Sequence, residues 1–270
     1  MRRAAIGIFD SGIGGLTVAA EIVRQLPCED VVYLGDTARL PYGTKSASTV
    51  CRYAERATEL LLRYPIKAVL VACNTASAHA LPTLREMTEM PVLGVVEPGA
   101  RAAIAATRSG AIGIAGTEAT IRSGAYQSAL NALREDLTLT ASAWPLLVPL
   151  AEEGWTDHAA ARLIVKTYLE PFVAAGVDTL VLGCTHYPVF KGLIAEVLAT
   201  EFKRSDVALV DSAEAVTEEL SDLLSNQDLE APERVGRRSF FCTDAPARFA
   251  RVGAGFFPAG DLTAVSAVDL

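Results

Sequence analysis

Short, unbroken apolar runs recur along the chain, and between them lie longer segments whose apolar residues return every three or four positions. The runs fall at Ala5–Phe9, Val31–Leu34, Ala68–Ala72, Val92–Val96, Ala111–Ala115, Thr138–Ala143, Thr179–Leu182 and Val207–Val210. A run that is apolar throughout, not alternating, suits a strand covered on both faces. Helical periodicity falls at Leu16–Leu26, Ser48–Arg63, Ala76–Met87, Thr117–Leu133, Asp157–Ala175 and Ala213–Leu224. Thr117 and Asp157 are candidate helix caps. The alternation of the two patterns predicts an α/β fold of doubly wound parallel sheets with helices on both sides.

Two of the runs end alike. Val69–Ser77 reads VLVACNTAS, and Leu180–Val189 reads LVLGCTHYPV. Each is an apolar strand, then a cysteine with polar neighbours, then an expected helix start. This echo predicts two similar α/β domains related by pseudo-two-fold symmetry. Ligands of parallel sheets sit beyond the C-terminal strand ends, so two such domains facing each other would bring Cys73 and Cys184 to one cleft. Seams are expected at the turn VVEPGA, with Glu97, Pro98 and Gly99, and near Asp211 in VDSAEA.

Composition narrows the function classes. The chain has 270 residues, about half of them apolar, and a net charge of −8. No long basic run is present, which argues against nucleic-acid and membrane-surface partners. The apolar stretches are short and interrupted by Gly, Pro or charge, so no transmembrane helix is expected. MRRAAIGIFDSG reads as a first strand, not a signal peptide. The five cysteines are widely spaced without a CxxC pair, which fits a reducing cytosol and a cytoplasmic protein.

A thiol just past a strand end, at a helix N-terminus, is expected to have its pKa lowered by the helix dipole. Asn74-Thr75 and Thr185-His186 supply donors of the kind that bind a carboxylate. Cys184 and His186 lack the further ligands a metal site needs, so no metal is expected. Neither cysteine is followed by the Arg of a phosphate loop, and a thiol-protease pair leaves one cysteine over. In FDSGIGGLTV neither the dinucleotide nor the P-loop pattern is met, yet the glycines permit close backbone approach. Asp10 there could hold a ligand ammonium, assist proton transfer or simply cap a helix. Pro41-Tyr42-Gly43 forms a turn at the same sheet edge, with backbone N–H groups near Gly43 as candidate carboxylate donors. Glu152 and Glu153, taken alone, read as solvated acids. His79 and His158 lie in helical segments and are expected to have no catalytic role.

The motifs DSGIGGLTV, GDTARLPYGTKS, ACNTASA, GVVEPGA, VPLAEEG, GCTHYP and VDSA, in this order, resemble the glutamate racemases of the cofactor-independent aspartate/glutamate racemase superfamily. They span Asp10 to about Asp211. The resemblance implies interconversion of L- and D-glutamate without PLP, metal or nucleotide, the D-isomer serving bacterial peptidoglycan. It places the two catalytic cysteines at Cys73 and Cys184, and assisting groups at Asp10, His186 and Glu152, with Glu153 the less favoured acid. Substrate contacts fall on Asp10, Ser11, Pro41, Tyr42, Gly43, Asn74, Thr75, Thr185 and His186. It implies a chain that returns to its first domain: residues 1–97 with 211–270, and residues 98–210 as the second. A homodimer is the family's usual state. Trp144 stands where a further, non-catalytic cysteine is common. Asp10 lies near the start of the sequence, so the N-terminal extension that ties some members to activation by a cell-wall precursor is not expected.

The chemistry explains the pairing. Racemisation removes the Cα proton from one face and returns one to the other, so two bases on opposite faces suffice. The resemblance assigns Cys73 to D-glutamate and Cys184 to L-glutamate. Without an electron sink, fixed donors around the carboxylate and exclusion of water must stabilise the carbanion, which calls for closure of two domains. Two alternatives remain at this point: an aspartate or other amino-acid racemase, and a non-catalytic amino-acid-binding protein, which would have no use for paired thiols.

Overall fold

In a computed structural model, which describes residues 2–258, 262 and 264–270, the chain forms two parallel sheets. The first half lays down β1 (Ala5–Asp10), α1 (Leu16–Gln25), β2 (Val31–Gly35), α2 (Ala47–Leu61), β3 (Ile66–Val71), α3 (Asn74–Glu86) and β4 (Val92–Gly94). Helix α4 (Val96–Ala106) leads into β5 (Ala111–Gly116), α5 (Glu118–Ser123), α6 (Ala125–Leu133), β6 (Thr138–Ala143), α7 (Leu147–Glu152) and α8 (Ala159–Ala174). Then follow β7 (Thr179–Gly183), α9 (Lys191–Thr200), β8 (Ala208–Asp211) and α10 (Ser212–Asn226). The chain finally returns to the first sheet with β9 (Arg238–Cys242), α11 (Pro246–Gly253) and β10 (Val265–Ala267).

Strand order is β10-β9-β2-β1-β3-β4 in the first sheet and β6-β5-β7-β8 in the second, with every pair parallel. The pattern β2-β1-β3-β4 of one sheet therefore recurs as β6-β5-β7-β8 in the other. Cys73 follows β3 and Cys184 follows β7, which are equivalent strands in this correspondence.

The unbroken apolar runs are explained by what covers each face. Ile6 and Ile8 of β1 point to a core shared with Leu16, Ala19 and Ile22 of α1, while Phe9 points to one containing Val50 and Ala54 of α2. In the second sheet Leu180 and Leu182 meet Trp144 and Phe172, whereas Val181 meets Val96, Ala100 and Tyr126. Each such side chain contributes about 1.5–3 kcal/mol on full burial. Trp144, fully buried, stacks on Tyr168 with centroids 5.6 Å apart.

Four local expectations are overturned. The run Val92–Val96 ends as a strand at Gly94, and VVEPGA is no turn: Glu97 and Pro98 lie in the first turn of α4. Proline is tolerated there because the first N–H groups of a helix have no intrahelical acceptor. The segment Thr117–Leu133 is two helices, broken at Gly124, whose φ of 67° is left-handed. Asp157 does not cap α8; the His158 ring accepts from the Ala160 N–H instead. The expected cap at Thr117 forms, accepting from the Thr120 N–H. Among the described residues no helix is long and apolar enough to cross a membrane.

Candidate active site

Equivalent strands end on one cavity. Its atom-free space is about 750 Å3, mouth included, within the range of small-molecule sites. From the first sheet it is lined by Ser11, Pro41, Tyr42, Gly43, Cys73, Asn74 and Thr75; from the second by Glu152, Cys184, Thr185 and His186. Of the residues to which the resemblance assigns catalysis or substrate contact, Asp10 is absent from the lining; it is fully buried and hydrogen-bonded to the lining residues Gly12 and Thr185.

On the first-sheet side Cys73 is the N-cap residue of α3, 5% exposed, and its thiol donates to Ser11 Oγ at 3.7 Å. Burial pushes this thiol up to about 12, with help from the Asp10 charge, while the Ala76 N–H and the Ser11 hydroxyl pull the other way. The expectation that the helix dipole would lower it fails, because desolvation of a thiolate outweighs one helix N-terminus. Asp10 takes the Gly12 N–H at 2.9 Å and the Thr185 hydroxyl at 3.4 Å. Burial raises its pKa, against the His186 charge and the N–H groups of Gly12 and Gly15.

On the other side Cys184 is not at an α-helix start. It precedes a 3-10 turn, Tyr187–Phe190, with α9 beginning only at Lys191. Its Sγ lies 4.0 Å from His186 Nδ1, and His186 Nε2 lies 3.5 Å from Glu152 Oε1. Burial acts to lower the pKa of this imidazole, but Cys184, Glu152 and Asp10 together raise it to about 10. Glu152 is thus no solvated acid: its side chain is 10% exposed, and His186 chiefly, with Arg248, lowers its pKa against the cost of burial. Glu153, next to it, is exposed and does not line the cavity.

The donors are held from both sheets. Tyr126 of α6 donates to Asn74 Oδ1 at 2.7 Å, which leaves the amide nitrogen of Asn74 free to face the cavity. Thr75 makes hydroxyl contacts of 2.9 and 3.1 Å across the cleft with Thr117 and Thr120, which lie 3.0 Å from each other. Tyr42 donates to buried Asp36 at 2.6 Å, and Thr243, after β9, donates to the same carboxylate at 2.8 Å. Sequence reading missed Thr117 as a lining residue, although its cap position was legible, and missed Asp36 and Arg248. An acid directly behind a buried strand was the available signal for Asp36. For Arg248 there was none, since it depends on the fold of the C-terminal segment. Among the described residues no three His, Cys, Asp or Glu side chains group so as to hold a metal ion.

Comparison with known proteins gives the family. A family profile described as Asp/Glu/hydantoin racemase matches residues 6–220. A glutamate racemase of Geobacter metallireducens is 51% identical over 265 residues, covering 97% of this chain and 96% of its own. The structure of glutamate racemase isoform RacE1 from Bacillus anthracis superposes with a TM-score of 0.94 at 40% identity, covering 100% of this chain and 99% of its own. A Francisella tularensis glutamate racemase in complex with D-glutamate superposes with a TM-score of 0.91 at 33% identity, covering 100% and 98%. With two parallel-sheet units, matched strand order and these likenesses along nearly its full length, the chain belongs to the Asp/Glu/hydantoin racemase family and is an amino-acid racemase.

Proposed function

We propose that this protein interconverts L- and D-glutamate by two-base proton transfer at Cα, with Cys73 and Cys184 as the bases and no cofactor. The observation that carries the reading is that both thiols, from the ends of equivalent strands, line one cavity. The names of the full-length relatives, and the D-glutamate bound to the Francisella structure, favour glutamate over aspartate.

The amino acid lies between the thiols. Burial and Asp10 hold Cys73 as a thiol; a substrate ammonium beside it reverses that balance by Coulomb attraction. Asp10, paired with that ammonium, is the acid on this face. On the other face the His186 imidazolium, with Glu152 behind it, stands beside the Cys184 sulfur. The thiolate on one face takes the Cα proton while the thiol on the other gives one, so each turnover exchanges the two protonation states. Cys73 removes the proton of D-glutamate and Cys184 that of L-glutamate. Ser11, Asn74, Thr75 and Thr185, with backbone N–H groups near Pro41, Tyr42 and Gly43, bind the carboxylates and stabilise the carbanion. Residues 1–97 with 211–270 act as one domain and 98–210 as the other, closing on the ligand. The protein works as a cytoplasmic homodimer that supplies D-glutamate for peptidoglycan.

The test is circular dichroism of L- and D-glutamate, with aspartate assayed alongside, and deuterium uptake at Cα in heavy water. Cys73→Ser and Cys184→Ser should each abolish racemisation, and each should impair exchange into a different enantiomer. Full activity in either variant, or faster turnover of aspartate, overturns the reading.

A further inference from the structure

Arg248 belongs to none of the sequence motifs and does not line the cavity. It lies in α11, where its neighbour Phe249 is buried against Tyr33 with ring centroids 6.0 Å apart. That contact fixes α11 to the first sheet. The Arg248 guanidinium then reaches α7 of the second unit, where Nη2 stands 2.9 Å from Glu152 Oε2. The other carboxylate oxygen faces His186 Nε2 at 3.5 Å.

The second separation is an ion pair but longer than a hydrogen bond, and His186 Nε2 is buried without any hydrogen-bond partner. The contact with His186 is thus the looser of the two that Glu152 makes. The firmer is with Arg248. On its outer side a second cavity opens, lined by Glu153, Thr156 and Arg251, into which an unheld carboxylate can rotate and regain water.

We propose that Arg248 is a positioning residue for the reaction: it keeps the Glu152 carboxylate aimed at the imidazole beside Cys184. This rests on the reading of Cys184 as one of the two bases. The groups facing His186 are Cys184 from the end of β7, Asp10 from β1, Glu152 from α7 and the edge-on ring of Phe256, 5.3 Å away, from the segment after α11. Glu152 in turn faces Arg248, with Glu153 and Arg251 on the outer cavity. Among these groups Arg248 pairs with Glu152 alone. Its loss frees the carboxylate and leaves the imidazolium with weaker compensation, so the ring gives up its proton at lower pH.

The test reads His186 directly. The chain has three histidines, so ring signals can be assigned by removing His79 and His158 and titrated by NMR. Arg248→Met should lower the His186 midpoint by about one pH unit, a tenfold change in its proton affinity. Arg248→Lys should restore most of it. In a Glu152→Gln background Arg248→Met should add nothing. With glutamate, Arg248→Met should lower kcat roughly tenfold, short of the 10²–10⁴ that general acid–base catalysis supplies, and leave KM nearly unchanged. An unmoved midpoint in Arg248→Met, or an undiminished shift without Glu152, overturns the proposal. The titration needs no substrate, so a wild type that fails to racemise glutamate would sink the functional reading and leave this test standing by itself.

Discussion

A side chain at Gly14 has nowhere to go. A Cβ there would lie 2.4 Å from both His186 Nδ1 and Thr185 Oγ1. Gly14→Ala must therefore push the two cavity residues that stand between Asp10 and Cys184. Because misplacement by about 1 Å costs roughly 10²-fold in rate, kcat/KM should fall by that order while far-ultraviolet circular dichroism stays unchanged. Wild-type turnover in this variant would show that the imidazole position is not critical. His186 itself links the site to stability. Its folded pKa of about 10 stands above the usual 6.5, so its contribution is fully present below pH ~6.5 and is lost as pH rises through about 10. Urea unfolding should show wild type losing more stability than His186→Asn between those two pH values. Parallel curves would mean that the imidazole is not charged in the folded protein.

Among the elements, the break at Gly124 isolates a backbone effect from any packing effect, since an added Cβ meets nothing within 4 Å. Gly124→Ala should cost about 1 kcal/mol in chemical denaturation through the left-handed backbone alone and leave turnover unchanged. Thr117 joins cap and cavity: Thr117→Ala should cost about 1 kcal/mol and also raise KM, while Thr117→Ser should keep both near wild type. These elements also mark what the sequence could and could not disclose. The buried central strands were legible because both faces are covered, which leaves an apolar run with nothing polar to blur it. Helix α4 was hidden because Pro98 and Gly99 are ordinary turn residues, and only their place in a first turn makes them compatible with a helix. Strand β10 at the edge of the sheet and β9 next to it have partly exposed patterns, so no unbroken run announced them. Both cysteines were legible from the echo of strand ends, whereas Glu152 taken alone read as a solvated acid, and only the placement of α7 buries it beside His186. The height of the Cys73 pKa was not legible at all, since burial is a property of the folded surroundings.

At the scale of the molecule, Lys67 ties distant segments together. It lies in β3, fully buried, paired with Glu29, and donates to the carbonyls of Arg2 at 3.2 Å and Leu229 at 2.6 Å. Glu29 also accepts the Ala231 N–H at 2.8 Å, so the stretch between α10 and β9 is fastened from both partners. Lys67→Met leaves a buried carboxylate unpaired and should cost about 3–5 kcal/mol; adding Glu29→Gln should recover part of that. Urea midpoints of the two variants decide it, and equal midpoints would show the carboxylate to be compensated elsewhere. The repeated order of four strands has a further consequence. Cys73 and Cys184 follow equivalent strands of that repeated order, and inversion at Cα carries one optical isomer onto the other. To such a framework the forward and backward reactions are nearly the same job viewed from opposite ends. On the proposed two-base reading, the unlike company of the sulfurs, a carboxyl beside the first and a ring with its acid beside the second, sets the two directions apart.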